Sequence, residues 1–394
     1  MSTAPAAPAS PRPLERARAI APQLEAAAAQ AERERTLPAA SVKALAEAGL
    51  LRMPLPRALG GEEPDFAELL ETWEELSRAD GSAGWTAMAN GSGAAAAASY
   101  LSDAAVAAVF GDDPAATVGG QFAPRGMGTP TGNGFRVQGE YSFGSGSGHS
   151  GYVSAGFMAL ENGAPRIAPS GLPEMHVGFV PREQVEFRDN WNVMGLAGTG
   201  SYDYAVSDVE IPEGFSFPLF TREPRRGSPL FRLGMMPVTA AGHAAWALGV
   251  ARRALDELTD MASARQRMGD ASPLAGKPTF QRDLARAEAR LRAARLYVFD
   301  AFGALGELAA RGDEPSLAQR AEVRLATNEA TESMVEVTRT AHAYAGTVAV
   351  RDDSALRRAF LDAHTGSQHA FISEKVWTDC GQVLLGTVED VPGL

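Results

Sequence analysis

The stretch YSFGSGSGHSGYV, residues 141–153, starts like a strand, dissolves into small residues, and then sets His149 between Gly148 and Ser150. Hydroxyls and glycines packed this densely either make a tight turn or let a flat ligand lie close against the backbone. Near the C-terminus, AHTGSQHA brings two more imidazoles, His364 and His369. Imidazole is the side chain suited to act as a base at neutral pH. Five positions apart, the two lie roughly 140° round any continuous helix, so one face cannot present both. Thr365 shares the face of His369. His243, in TAAGHAAWALG, interrupts an otherwise apolar helix, as a satisfied core residue or as part of a pocket wall.

Other chemistries are poorly served. The histidines lack paired metal-ligand spacings, and a single cysteine, Cys380, cannot form a Cys-x-x-Cys. GSGSG is not followed by Gly-Lys-Ser/Thr, so it is no P-loop. Ser147 and His149 stand too close along a turn for a hydrolytic triad, and no nucleophile elbow is present. No Gly-x-Gly-x-x-Gly opens a helix after a strand. A ligand would therefore lie in a cleft between elements.

At 394 residues the chain exceeds one compact core, and two or three domains are expected. A net charge of −12 argues against a nucleic-acid surface. One cysteine excludes an intramolecular disulfide and fits a reducing cytoplasm. No apolar run approaches the roughly 20 residues of a membrane helix. MSTAPAAPASPRP, residues 1–13, has no apolar core of a signal peptide and reads as a disordered leader.

Three segments follow. Residues 14–116 are patterned as helices: SVKALAEAGLL offers Ser41 as an N-cap, and DFAELLETWEELSRADG puts Phe66, Leu69, Leu70, Trp73 and Leu76 on one face. Over residues 117–227 the period falls to two; FRVQGEYSF places Phe135, Val137, Tyr141 and Phe143 on one side, which predicts an antiparallel β domain. Residues 228–394 return to helix in four long segments, Pro237–Arg267, Pro278–Arg311, Pro315–Val350 and Ser354–Gly386. Leu284, Leu291 and Val298 recur every seven residues, as in a bundle seam.

This order resembles the acyl-CoA dehydrogenase superfamily over nearly the whole chain. LAEAGLLRMPLPRALGG is similar to its first helical hairpin, DVEIPEG to the end of its β domain, and PVTAAGHAAWALGVARRALDEL to its first bundle helix. The implied fold is α+β: an N-terminal helical domain, a middle antiparallel β domain and a C-terminal four-helix bundle. ARQRMG…PTFQ is similar to a family stretch whose Arg and Gln reach a neighbouring subunit's flavin; Arg265 and Gln281 match them, with Met268 in place of a Phe. DGSAGW, YSFGSGSGHSGY and WNVMGLAGTGSYDYAVSDVEIP look closer to one subset, the two-component flavin monooxygenases, such as those acting on 4-hydroxyphenylacetate, phenolic secosteroids or dibenzothiophene. The carboxylate base of the dehydrogenases has no counterpart in AHTGSQHAFISEKV or LGMMPVTAAGHAAW; Glu374 stands in the wrong context.

The resemblance implies an oxygenase component that uses reduced FMN or FAD, supplied by a separate flavin reductase, and O2. It would hydroxylate an aromatic or heteroaromatic molecule through a flavin C4a-hydroperoxide. Ser145 and Gly146 match the segment beside flavin N5. His369 matches the bundle histidine expected as base, and His149 would face the substrate or the flavin edge. Ser82, Gly84 and Trp85 would form a turn under the ring, Gln121 would end the strand beside it, and Thr199 would lie in the glycine loop against it. His243 and His364 would line the substrate pocket. The family forms tetramers, so a homotetramer is expected. An acyl-CoA dehydrogenase-like FAD enzyme with an atypical base, or a catalytically silent member, is the alternative.

Overall fold

The structure analysed is a computed structural model, which describes residues 11–394 except Asp112, Pro114, Arg267 and Pro392. Residues 1–10 of the expected leader lie outside the described residues. The chain enters α1 (Pro13–Glu34), α2 (Ala39–Glu47) and α3 (Phe66–Ala79). The cap expected at Ser41 falls to Pro38, and Ser41 is buried inside α2. Asp80 then ends α3 and begins α4 (Gly81–Tyr100), its Oδ1 accepting the Ala83 N–H at 2.8 Å. The DGSAGW segment is therefore not a turn. Ser82, Gly84 and Trp85 lie in the opening turns of a helix, because an Asp one position before a run of small residues is a strong N-cap. With hardly any side chain to distinguish its faces, α4 must be surrounded, and nearly every residue in it is buried. Short α5 (Asp103–Phe110) follows.

The strands are β1 (Val118–Thr131), β2 (Gly134–Gly144), β3 (Tyr152–Glu161), β4 (Ala164–Pro165), β5 (Met175–Pro181), β6 (Glu186–Phe187), β7 (Tyr202–Pro212) and β8 (Ser216–Pro218). They form one sheet in the order β6-β7-β2-β1-β3-β5-β8, with β4 on β3. Pairing is antiparallel except between β1 and β3, which run parallel. The period-two pattern does not reveal strand direction, so that parallel pair was not legible. Phe143 also departs from its expected face. A register shift between Tyr141 and Gly144 and a φ of 63° turn it outward, 61% exposed.

The closing helices are α6 (Met235–Ala262), α7 (Pro278–Arg311), α8 (Leu317–Ala345), α9 (Ala355–Gly366) and α10 (Glu374–Leu385). The first three follow the expected segments. The fourth segment is broken at residues 367–373, where a short 3-10 turn spans Ala370–Ile372. One continuous core unites α1, α3, α4 and the bundle with the inner edge of the sheet, at Val118, Val177, Phe179 and Phe217. The other face of the sheet keeps its own core around Val137, Tyr141, Phe157 and Tyr204. α3 and α6 approach closely through glycine: a Cβ on Gly249 would sit 2.3 Å from the Glu74 carbonyl. Among the described residues, no helix is long and apolar enough to cross a membrane.

Candidate active site

Three segments distant in sequence meet beside the N-terminus of α4. Trp85 Nε1 lies 3.0 Å from Ser145 Oγ, Ser145 Oγ lies 2.8 Å from Ser201 Oγ, and Ser201 Oγ lies 2.7 Å from Thr199 Oγ1. Thr199 Oγ1 in turn lies 2.8 Å from the Leu196 carbonyl. Indole nitrogen can only donate and a carbonyl can only accept, so both ends of this chain are fixed. Every hydroxyl between them is then fixed too: Trp85 donates to Ser145, Ser145 to Ser201, Ser201 to Thr199, and Thr199 to Leu196. Ser145 has spent its proton and accepted one hydrogen bond. One of its lone pairs stays open, so toward a ligand it is an acceptor.

The loop carrying Thr199 is shaped by glycine. A Cβ on Gly195 would lie 2.2 Å from the Leu361 carbonyl of α9, and one on Gly198 would lie 2.8 Å from the Ala31 Cβ of α1. Leu196 itself holds a left-handed φ of 53°, uncommon for a branched residue. Its N–H donates to Asp362 Oδ1 at 2.5 Å, and Trp191 Nε1 donates to the Ala197 carbonyl at 3.1 Å. On the opposite hairpin, Gly146 has φ 68°, and a Cβ there would lie 2.3 Å from the Asn90 side chain of α4.

An aromatic wall completes the site. Trp85 makes edge contacts with Trp246 at 4.9 Å, His243 at 5.1 Å and His369 at 5.7 Å. His243 and His369 are 4.6 Å apart, and Phe371 stacks on His243 at 5.3 Å. Behind them the buried Arg324 guanidinium lies over the Phe371 ring at 3.6 Å, and it donates to the Phe371 and Gly393 carbonyls. Burial first, then the His369 and Arg324 charges, push His243 well below its usual pKa. Burial and Arg324 lower His369 to about 4. His369 is nonetheless exposed.

His369 is not in a helix, as it would be if the fourth segment were continuous; it caps the 3-10 turn, and its Nδ1 accepts the Phe371 N–H at 3.2 Å. The neutral ring therefore carries its proton on Nε2. This geometry opposes the base expected from the sequence. Nε2 already carries the proton and the Nδ1 lone pair is engaged by the Phe371 N–H, so no nitrogen is free to accept another, and a pKa near 4 disfavours imidazolium at neutral pH.

The structure separates the remaining candidates. His149 ends a 3-10 turn at Ser147–His149, and its Nε2 meets Thr36 Oγ1, just past α1, at 3.1 Å. Burial and Arg182 lower its pKa. His364 does not join the His243–His369 pair; it packs edge-on to Phe360 at 4.4 Å, with His342 stacked on the same ring. Ser82 is buried against Gly198. Gln121 lies on β1, whose Gly120 N–H reaches the Ser145 carbonyl; its Oε1 is buried without a hydrogen-bond partner. Arg265 reaches Thr347 at 3.4 Å, and exposed Gln281 reaches the Ala275 carbonyl at 2.8 Å, so neither touches the Trp85–Ser145 chain. Sequence reasoning missed Asn90, Trp246, Arg324, Asp362 and Phe371. Signals lay beside three of them: His243 stands three residues before Trp246, His369 two before Phe371, and the Gly-rich start of α4 leads to Asn90.

A planar, nitrogen-rich ring system fits this arrangement. Ser145 has an open acceptor, Gln121 Oε1 and His243 Nδ1 are buried without partners, and indoles and neutral imidazoles supply flat walls. The comparisons agree. The acyl-CoA dehydrogenase N-terminal domain model matches residues 15–107 and the C-terminal domain model residues 241–374. Indole-3-acetate monooxygenase of Pseudomonas putida is 32% identical over 364 residues, 92% of this chain and 90% of that protein. The FADH2-dependent resorcinol hydroxylase oxygenase component of a Rhizobium strain is 30% identical over 70% of this chain and 68% of its own length. XiaF from Streptomyces, solved with FADH2 and glycerol, superposes with a TM-score of 0.88 at 24% identity, covering 97% of each chain. The chain belongs to the acyl-CoA dehydrogenase superfamily and, within it, to the oxygenase components of flavin-dependent monooxygenases.

Proposed function

We propose that this oxygenase component takes reduced flavin from a separate reductase and hydroxylates an electron-rich aromatic or heteroaromatic ring, with the flavin edge at Ser145. The carrying observation is the one-way hydrogen-bond chain that leaves Ser145 an acceptor. Reduced flavin carries a hydrogen at N5 and oxidised flavin does not, so an acceptor-only Ser145 favours the reduced form. When bound, reduced flavin supplies the two electrons that let O2 deliver one oxygen to product and the other to water. Around it the chain's residues have simpler tasks. Trp85 fixes the Ser145 rotor, Ser201, itself donating to Thr199, accepts the Ser145 hydrogen bond, and Gly146 and Gly198 let backbone approach. Trp246, His243 and Phe371 shield the bound ring from water. His369 presents Nε2–H as a neutral donor toward the substrate's oxygen or the developing hydroxyl. His149 fastens the Ser145 hairpin to α1 through Thr36. Arg265 and Gln281 lie away from this chain, consistent with service to a neighbouring subunit's flavin in a homotetramer. Exposed Leu296, Leu384 and Leu385 offer apolar surface for such an assembly.

Anaerobic titration tests this. Reduced FMN or FAD should bind about tenfold or more tightly than the oxidised form, as one well-placed hydrogen bond allows. Ser145→Ala should erase most of that preference. Equal affinities for the two redox states in the parent protein would defeat the reading.

A further inference from the structure

The hydrogen-bond chain does not end at Leu196. The same residue that accepts from Thr199 donates its N–H to Asp362 of α9. Asp362 is buried, and its Oδ2 packs so closely on Gly81 that a Cβ there would lie 2.5 Å away. Gly81 follows Asp80, the buried cap of α4. Both carboxyl groups line one cavity of about 20 Å3, room for roughly one water. Two segments of the site thus converge on a carboxyl pair: the loop that accepts the Ser145 hydrogen bond, and the helix end that carries Trp85.

We propose that Asp362 is a positioning residue for the flavin-facing loop, clamping strained Leu196 and, with Asp80, the first turn of α4, so that Ser145 stays an acceptor. This rests on the Ser145 reading above. The left-handed Leu196 would relax without a partner for its N–H, since such backbone persists only where surroundings over-determine it. The pair is also sensitive to charge. Asp80 faces it from the start of α4, Glu25 and Glu32 from α1, Arg253 from α6 and Arg358 from α9. Arg253 is engaged with Glu25 and Glu257, and Arg358 reaches Glu32 only at 3.9 Å. Burial and then Asp80 push the Asp362 carboxyl up to about 7, and burial raises Asp80 too. Both carboxyls are thus held toward the neutral form, and an ionised Asp362 meets the charge of Asp80.

Hydrogen exchange on the flavin-free protein and reduced-flavin binding together test the clamp. After correction for intrinsic rates, exchange of the peptide spanning residues 192–201 should rise about tenfold between pH 6.5 and 8.5, the effect of one pK unit of differential interaction. Asp362→Asn can still accept from Leu196 but carries no charge to repel Asp80, so it should abolish that rise and keep reduced-flavin affinity. Asp362→Ala should expose the loop at every pH and weaken reduced flavin about tenfold. Identical pH responses in parent and Asp362→Asn, or a protected loop in Asp362→Ala, would overturn the clamp. A clamp that behaves as expected while flavin affinity follows none of these changes supports Asp362 and overturns the contact between Ser145 and flavin.

Discussion

His369 shows how one hydrogen bond decides a residue's chemistry. Its sequence position suggested a base, but the Phe371 N–H occupies Nδ1 and the Arg324 charge stands behind the ring. What remains is a neutral donor. His369→Ala should therefore leave reduced-flavin binding intact and raise the ratio of peroxide released to product formed, while His369→Asn, which keeps an N–H donor, should recover part of the coupling. Peroxide and product assays from pH 6 to 8 check this. A neutral donor with a pKa near 4 contributes no pH limb in that range. A limb near neutrality that His369→Asn removes would restore the base. Ser145 follows the same logic, since its polarity is set by Trp85 at one end and Leu196 at the other, neither adjacent to it in sequence.

At the scale of elements, the site depends on how closely helices meet. α4 carries Trp85 on its second turn and packs on α3 through Gly84, where a Cβ would stand 2.1 Å from Ser77 Oγ and 2.5 Å from its Cα. Gly84→Ala must push the two helices apart beside Trp85. The expected cost is about 2 kcal/mol or more of stability, the range for overpacking a core. A weakened Trp85–Ser145 contact should lower the preference for reduced flavin in the same variant. Denaturant unfolding and flavin titration read the two effects. The break between α9 and α10 belongs to this scale as well: a continuous helix would have turned His369 by its register, whereas the break lets it cap a short turn against His243.

At the scale of the whole molecule, buried titrating groups pull stability in opposite directions. His243 and His369 have pKa values below the unfolded value near 6.5, so the unfolded chain binds more protons, and acidification from 7 toward 4 destabilises the fold. Asp80 and Asp362 have raised values, so the folded chain binds more protons, and the same acidification stabilises it. The two trends offset. Asp362→Asn removes one stabilising contribution, so its melting temperature should fall more steeply with acid than that of the parent. Melting curves at pH 5, 6 and 7 measure this, and parallel slopes would refute it.

The helix, sheet, helix order was legible because periodicity and caps are local: 3.6-residue spacing around Phe66–Leu76, alternation through Phe135–Tyr141, and a seven-residue seam at Leu291 and Val298. Ser145, Thr199 and Trp85 were legible as candidates through a three-part resemblance. Local pattern carries no information about which backbone group reaches which side chain across 60 or more residues. The parallel β1–β3 pair, the outward Phe143, the direction of the hydroxyl chain and the Asp80–Asp362 pair each arise from contacts between distant segments. Chain order alone settled which elements form. Packing settled what each polar atom can donate or accept, because hydrogen-bond direction is a property of the closed network, not of any one residue.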